Sequence, residues 1–125
     1  MLTREQILSA NDIRTKTVSV PEWGGDVLVR VLSGRERDTL EADFTSKKGA
    51  GLANFRARFA VLCICDESGN RLFTDKDVSE LEKKNANTLT LVLEAGMRLN
   101  GLTQGDVDEL AGNSDAAQSG VSGSD

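Results

Sequence analysis

Pro21-Glu22-Trp23-Gly24-Gly25-Asp26-Val27-Leu28-Val29-Arg30-Val31-Leu32-Ser33-Gly34-Arg35-Glu36-Arg37-Asp38 is the stretch on which the fold turns. Upstream, residues 17–20 read Thr-Val-Ser-Val, an alternating run. Residues 27–32 read Val-Leu-Val-Arg-Val-Leu, which puts Val27, Val29 and Val31 on one face with Leu28 and Arg30 opposite. Between them, Gly24 and Gly25 supply the backbone angles that a tight turn between antiparallel strands needs. The pattern predicts a hairpin over 17–32. A lone hairpin is marginal in water, so its valine face must rest on helices or on another subunit. Ser33 and Glu36 then form a capping box, Ser-x-x-Glu, which opens a charged helix.

The same helix-start device recurs along the chain. Thr3 with Gln6 predicts a helix over 3–10, with Leu2 and Ile7 as a hydrophobic staple. Thr74 with Asp77 and Thr103 with Asp106 open two later helices, stapled by Phe73 with Val78 and Leu102 with Val107. The helix beginning at Ser33 is expected to reach about residue 46, with Leu40 and Phe44 inward and Lys47-Lys48-Gly49-Ala50-Gly51 as a short mobile loop after it. Leu52, Phe55, Phe59, Leu62 and Cys63 recur at helical spacing and predict a core helix over 52–65, with a strand over 61–65 as the competing reading. Arg56 and Arg58 lie off that stripe. Asn85 or Asn87 caps a helix to Asn100, stopped by Gly101, whose apolar face is Leu89, Val92, Leu93, Gly96, Met97 and Leu99. From 113 the chain is Ser, Gly, Ala and Asp around one Val, too little apolar surface to repay ordering. The expectation is an α+β fold, mainly α. One domain over 1–112 has an N-terminal β-hairpin packed on four to five helices, and 113–125 is a disordered C-terminal tail.

Composition removes several function classes. The chain has no His, which takes away imidazole bases and most zinc chemistry. Cys63 and Cys65 are read as buried packing residues, pointing apart on a helix. Lys47-Lys48-Gly49-Ala50-Gly51 lacks phosphate-loop spacing, and Asp66-Glu67-Ser68-Gly69-Asn70 places its Gly too early for a calcium loop. Asp75 and Asp77 are explained by the helix start they occupy. Neither a catalytic residue, a metal nor a cofactor is expected. The net charge is −5, from 20 acidic and 15 basic residues interleaved as in Arg35-Glu36-Arg37-Asp38, which disfavours nucleic-acid binding. Mean hydropathy is −0.31. The longest apolar run, Ala60-Val61-Leu62-Cys63-Ile64-Cys65, falls far short of the ~18 residues of a membrane span. Met1-Leu2-Thr3-Arg4-Glu5 lacks a secretory layout, so a cytoplasmic location is expected.

Trp23 at the hairpin tip is the one large residue with two readings. It can anchor a partner, as aromatic residues do at binding hot spots, or cover the hairpin's own valine face, which is the more ordinary use. On the helix over 85–100, Leu89, Val92, Leu93 and Met97 form an apolar face broader than the hairpin needs to cover. With Trp23 they are the candidate partner contacts, and the hairpin edges add an expectation of a homo-oligomer.

The order of hairpin, charged helix, apolar helix, Asp66-Glu67-Ser68-Gly69-Asn70-Arg71-Leu72-Phe73-Thr74 and a final helical group ending Leu99-Asn100-Gly101-Leu102 resembles the small tail assembly chaperones of long-tailed bacteriophages. The likeness covers about residues 10–112. It implies a protein that binds the tape-measure protein and keeps it soluble and competent for tail tube polymerisation. It also implies a short form whose longer, ribosomally frameshifted version engages the tail tube protein, acting in the host cytoplasm and absent from the mature virion. The alternatives are a structural adaptor or head–tail completion protein of a phage particle, and a small nucleic-acid-binding regulator that would need the basic face this chain lacks.

Overall fold

The computed structural model describes residues 1–45 and 54–109. In chain order these form α1 (Arg4–Ser9), β1 (Thr15–Val20), β2 (Gly25–Arg30), α2 (Gly34–Thr45), α3 (Phe55–Cys63), β3 (Ile64–Cys65), α4 (Val78–Leu81), α5 (Ala86–Leu99) and α6 over 104–109. The fold is α+β and mainly α. The predicted loop at 47–51, the tail at 113–125 and the domain limit at 112 lie outside the described residues.

The hairpin forms as its sequence dictates, with longer strands. β1 and β2 pair antiparallel with Val18 opposite Val27 and Val20 opposite Gly25. Pro21–Trp23 makes one tight 3-10 turn, and the Gly24 N–H donates to the Pro21 carbonyl at 3.0 Å. Gly24 has φ +83°, the left-handed region that a side chain resists. Val18, Val20 and Val29 are buried on the inner face, where α5 crosses both strands.

Two features depart from expectation. The apolar run over 60–65 divides: α3 ends at Cys63, and Ile64–Cys65 becomes β3, antiparallel to Leu28 and Val29. A short continuous apolar run fits a buried helix or a buried strand equally well. The free edge of β2 decides the matter by offering backbone partners to residues 64 and 65. Cys65 therefore sits in a strand, so the helical angle between the two cysteines does not apply, although both are buried and free. The second departure is Arg30, which the alternation placed on the hairpin's outer side and which is buried at 6% exposure. The start of α2 folds over it.

The capping boxes are all present. Gln6 N–H donates to Thr3 Oγ1 at 3.2 Å, Glu36 N–H to Ser33 Oγ at 3.2 Å, and Asp106 N–H to Thr103 Oγ1 at 3.0 Å. Each is answered by the third residue's side chain accepting from the cap's own N–H. At Thr74 the backbone N–H donates to Asp77 Oδ2 at 2.8 Å, and the turn over Asp75–Asp77 leads into α4. Asn85 caps α5 by accepting from the N–H groups of Asn87 and Thr88. At the other end of α5 the Leu102 N–H returns to the Met97 carbonyl at 2.8 Å, closing the helix beside Gly101. Leu102 and Val107 staple α6 into the core, whereas Leu2 and Ile7 beside α1 stay exposed, and α1 buries no residue. Asp66 makes a plain turn, its Oδ1 accepting from the N–H groups of Ser68 and Asn70.

Candidate functional site

The residues expected to meet a partner lie mostly inside. Leu89, Val92, Leu93 and Met97 are 3%, 0%, 6% and 5% exposed. The apolar face of α5 is covered by α3 on one side and by the hairpin on the other, so it is the core face of the domain rather than a surplus surface. Gly96 makes that closeness possible. A Cβ at this position would stand 2.6 Å from Cys63 Sγ and 2.8 Å from Phe59 Cε2. Trp23 is half-buried and packs against the hydrophobic core, in keeping with the reading in which its ring covers the valine face. Burial pushes the Cys63 thiol up to about 11, and the thiol donates to the Arg30 carbonyl at 3.5 Å. Cys65 is also shifted upward by burial. A protonated, buried thiol is a poor nucleophile.

A groove of about 430 Å³ lies between α2, α3 and the start of α4. Leu40, Leu62 and Val78 give it an apolar lining, while Arg35, Glu36, Thr39, Asp43, Arg58, Arg71 and Asp75 supply polar walls. α2 places its lining residues by helical spacing: Arg35, Thr39 and Asp43 follow at four-residue intervals along one face. Leu40 is 2% exposed and ties α2 to the core. Leu62, expected as a core residue with Phe59, is only half-buried because it stands at the groove. Phe59 is fully buried.

Ion pairs hold the groove's walls. Arg58 Nη1 lies 3.3 Å from Asp43 Oδ2, linking α3 to α2. Arg71 donates from Nη2 to Asp75 Oδ1 at 2.9 Å and from Nε to the Val61 carbonyl at 3.1 Å. At the base of α2, Glu36 meets Arg30 Nη2 at 2.5 Å while its other oxygen accepts from the Ser33 N–H at 2.9 Å. Partial burial would raise the Glu36 carboxyl, but the bonds from Arg30 and Ser33 outweigh it and hold the group below its ordinary value. Asn100 joins the same corner. Its Nδ2 donates to the carbonyls of Arg30 and Gly96, and its Oδ1 accepts from the Leu32 N–H at 2.8 Å. Arg30 Nε is buried without a hydrogen-bond partner, a cost borne where the sheet meets α2.

Sequence reasoning missed this groove because its lining comes from four separate segments. The signals that existed were Leu62 at the edge of the α3 stripe and Arg58 just off it. Among the described residues no three His, Cys, Asp or Glu side chains are grouped to hold a metal ion, and no helix is long and apolar enough to cross a membrane. The arrangement can receive apolar side chains between charged walls.

The family model of the phage tail assembly chaperone matches residues 3–117. Among solved structures, the chain is similar to the bacteriophage HK97 tail assembly chaperone, with a TM-score of 0.57 and 21% identity, covering 80% of this chain and 95% of that one. At that identity the likeness concerns the fold. No curated protein matches the sequence.

Proposed function

The chain belongs to the phage tail assembly chaperone family, whose model spans residues 3–117, and from that premise we propose that it binds the tape-measure protein and keeps it soluble until the tail tube polymerises. Membership implies partners among tail proteins. The observation that carries the finer reading is the groove, where half-buried Leu62 and Val78 stand beside buried Leu40 between charged walls. A helix laid in such a groove inserts apolar side chains at i, i+3 or i+4. Affinity at one groove of this size is modest. A homo-oligomer presenting several grooves along one extended client gains by effective concentration what each contact lacks. A longer, frameshifted form brings the tail tube protein to the same assembly. The role is binding rather than catalysis, carried out in the host cytoplasm and ended before the virion is complete.

Co-expression with the tape-measure protein tests this reading. The wild-type chain should hold the client in the soluble fraction. Leu62→Lys, which puts a charge into the half-buried groove wall, should leave the client insoluble while the variant itself stays folded by circular dichroism. A client equally soluble with either chain would remove the groove from the mechanism. Light scattering should give a mass above 13.4 kDa. Mass spectrometry of purified virions separates a chaperone, which leaves, from a completion protein, which stays.

A further inference from the structure

Three of the four cations at the groove and its base are already neutralised. Arg30 holds Glu36, Arg58 holds Asp43 and Arg71 holds Asp75. The lining cation left over is Arg35, exposed in the first turn of α2, with no ion pair among the described residues. Every acidic side chain that lines the groove is committed to one of those three arginines, so the uncompensated charge beside the half-buried Leu62 is positive. The net charge of −5 does not cancel this locally, because exposed charges more than ~8 Å away are largely screened at physiological salt.

We propose that the groove selects an amphipathic helix in which an apolar pair four residues apart is flanked within one turn by a carboxylate, the pair entering beside Leu62 and the carboxylate meeting Arg35. The inference rests on the groove being the client site and adds which clients it prefers. A carboxylate at Arg35 completes the alternation of charge around the rim. A lysine at the same place would leave two unpaired cations facing each other. Rim charges of this kind act chiefly on encounter rate and on discrimination between partners.

Two synthetic peptides of about 20 residues, long enough to be helical, test it. Each carries the same Leu pair in an Ala/Gln host, one flanked by Glu and the other by Lys, and binding to the full chain is followed by fluorescence anisotropy. The Glu peptide should bind about 3- to 10-fold more tightly in low salt, with the ratio shrinking at about 0.5 M salt. In Arg35→Gln, an exposed change that leaves the fold intact, the ratio should fall to about 1. Equal affinities in the wild-type chain, or a preference that survives Arg35→Gln, would overturn the proposal while leaving the groove as a binding site. Leu62→Lys should abolish binding of both peptides. If neither peptide binds the wild-type chain, or both still bind Leu62→Lys, the groove reading fails and this inference fails with it.

Discussion

Where α3 meets α5, Phe59 and Cys63 press so closely on Gly96 that a methyl group would stand within 2.8 Å of both. Where the same helix turns toward α2, Arg58 reaches Asp43 across 3.3 Å and Leu62 borders an open groove. One helix of nine residues thus has a dry side and a wet side. The dry side gains from apolar burial and dispersion, which fall off steeply with any gap. The wet side rests on one buried leucine, Leu40, and on charged groups that water can also satisfy. Loosening the dry side exposes core surface. Loosening the wet side exchanges an ion pair for hydration at little cost, which is why the function proposed above is placed on this side.

The largest effect should come from the dry side. Phe59 is fully buried and packs at a tilt against Phe55, with ring centroids 5.8 Å apart. Phe59→Ala should cost about 3–5 kcal/mol in urea denaturation. Gly96→Ala should cost about 2–3 kcal/mol, although Ala is the better helix former, because Cys63 Sγ and Phe59 Cε2 must both move. A stabilising Gly96→Ala would show that α3 and α5 can separate freely, and the contrast between the two sides would collapse.

The helix starts were legible because capping is local: Ser33 and Glu36 are three residues apart and need nothing else to find each other. The hairpin was legible for the same reason, its turn residues lying between the strands they join. β3 was legible only as the competing reading over 61–65, because Ile64 and Cys65 take their conformation from Leu28 and Val29, more than thirty residues away. Burial of Arg30 was hidden likewise, since alternation tells which residues share a face and not what will cover it. The candidate partner contacts show what a sequence leaves open. Leu89, Val92, Leu93 and Met97 were recognised as a coherent apolar face, yet an apolar face reads alike whether it meets a client or the chain's own α3. The groove needs α2 and α3 placed side by side, and no spacing within either helix announces that.

On the wet side, Glu36→Gln should cost about 1–2 kcal/mol, because a neutral acceptor replaces a charge-assisted one at Arg30 and Ser33. Its pH dependence has a definite sign. The Glu36 carboxyl is held below its ordinary value of 4.5, so its contribution is fully present above that value and is lost as pH falls through the lowered one. Wild-type stability should therefore fall more steeply below about pH 4.5 than that of Glu36→Gln. Parallel acid limbs for the two proteins would mean that the Arg30 pair does not bias the carboxylate.

The smallest effect belongs to a residue on α3 that lies outside both faces. Arg56 is exposed, and its Nε donates to Thr90 Oγ1 of α5 at 2.8 Å. That bond crosses between the same two helices as the Phe59 contact, so it samples the same interface at its solvent edge. Water replaces a lost bond there without leaving a buried group unpaired. Arg56→Ala should shift stability by no more than about 0.5 kcal/mol, close to the noise of a denaturant midpoint. A midpoint shift comparable to that of Phe59→Ala would mean that the α3–α5 contact depends on its rim rather than on the packing around Gly96, and would reverse the assignment of the dry side.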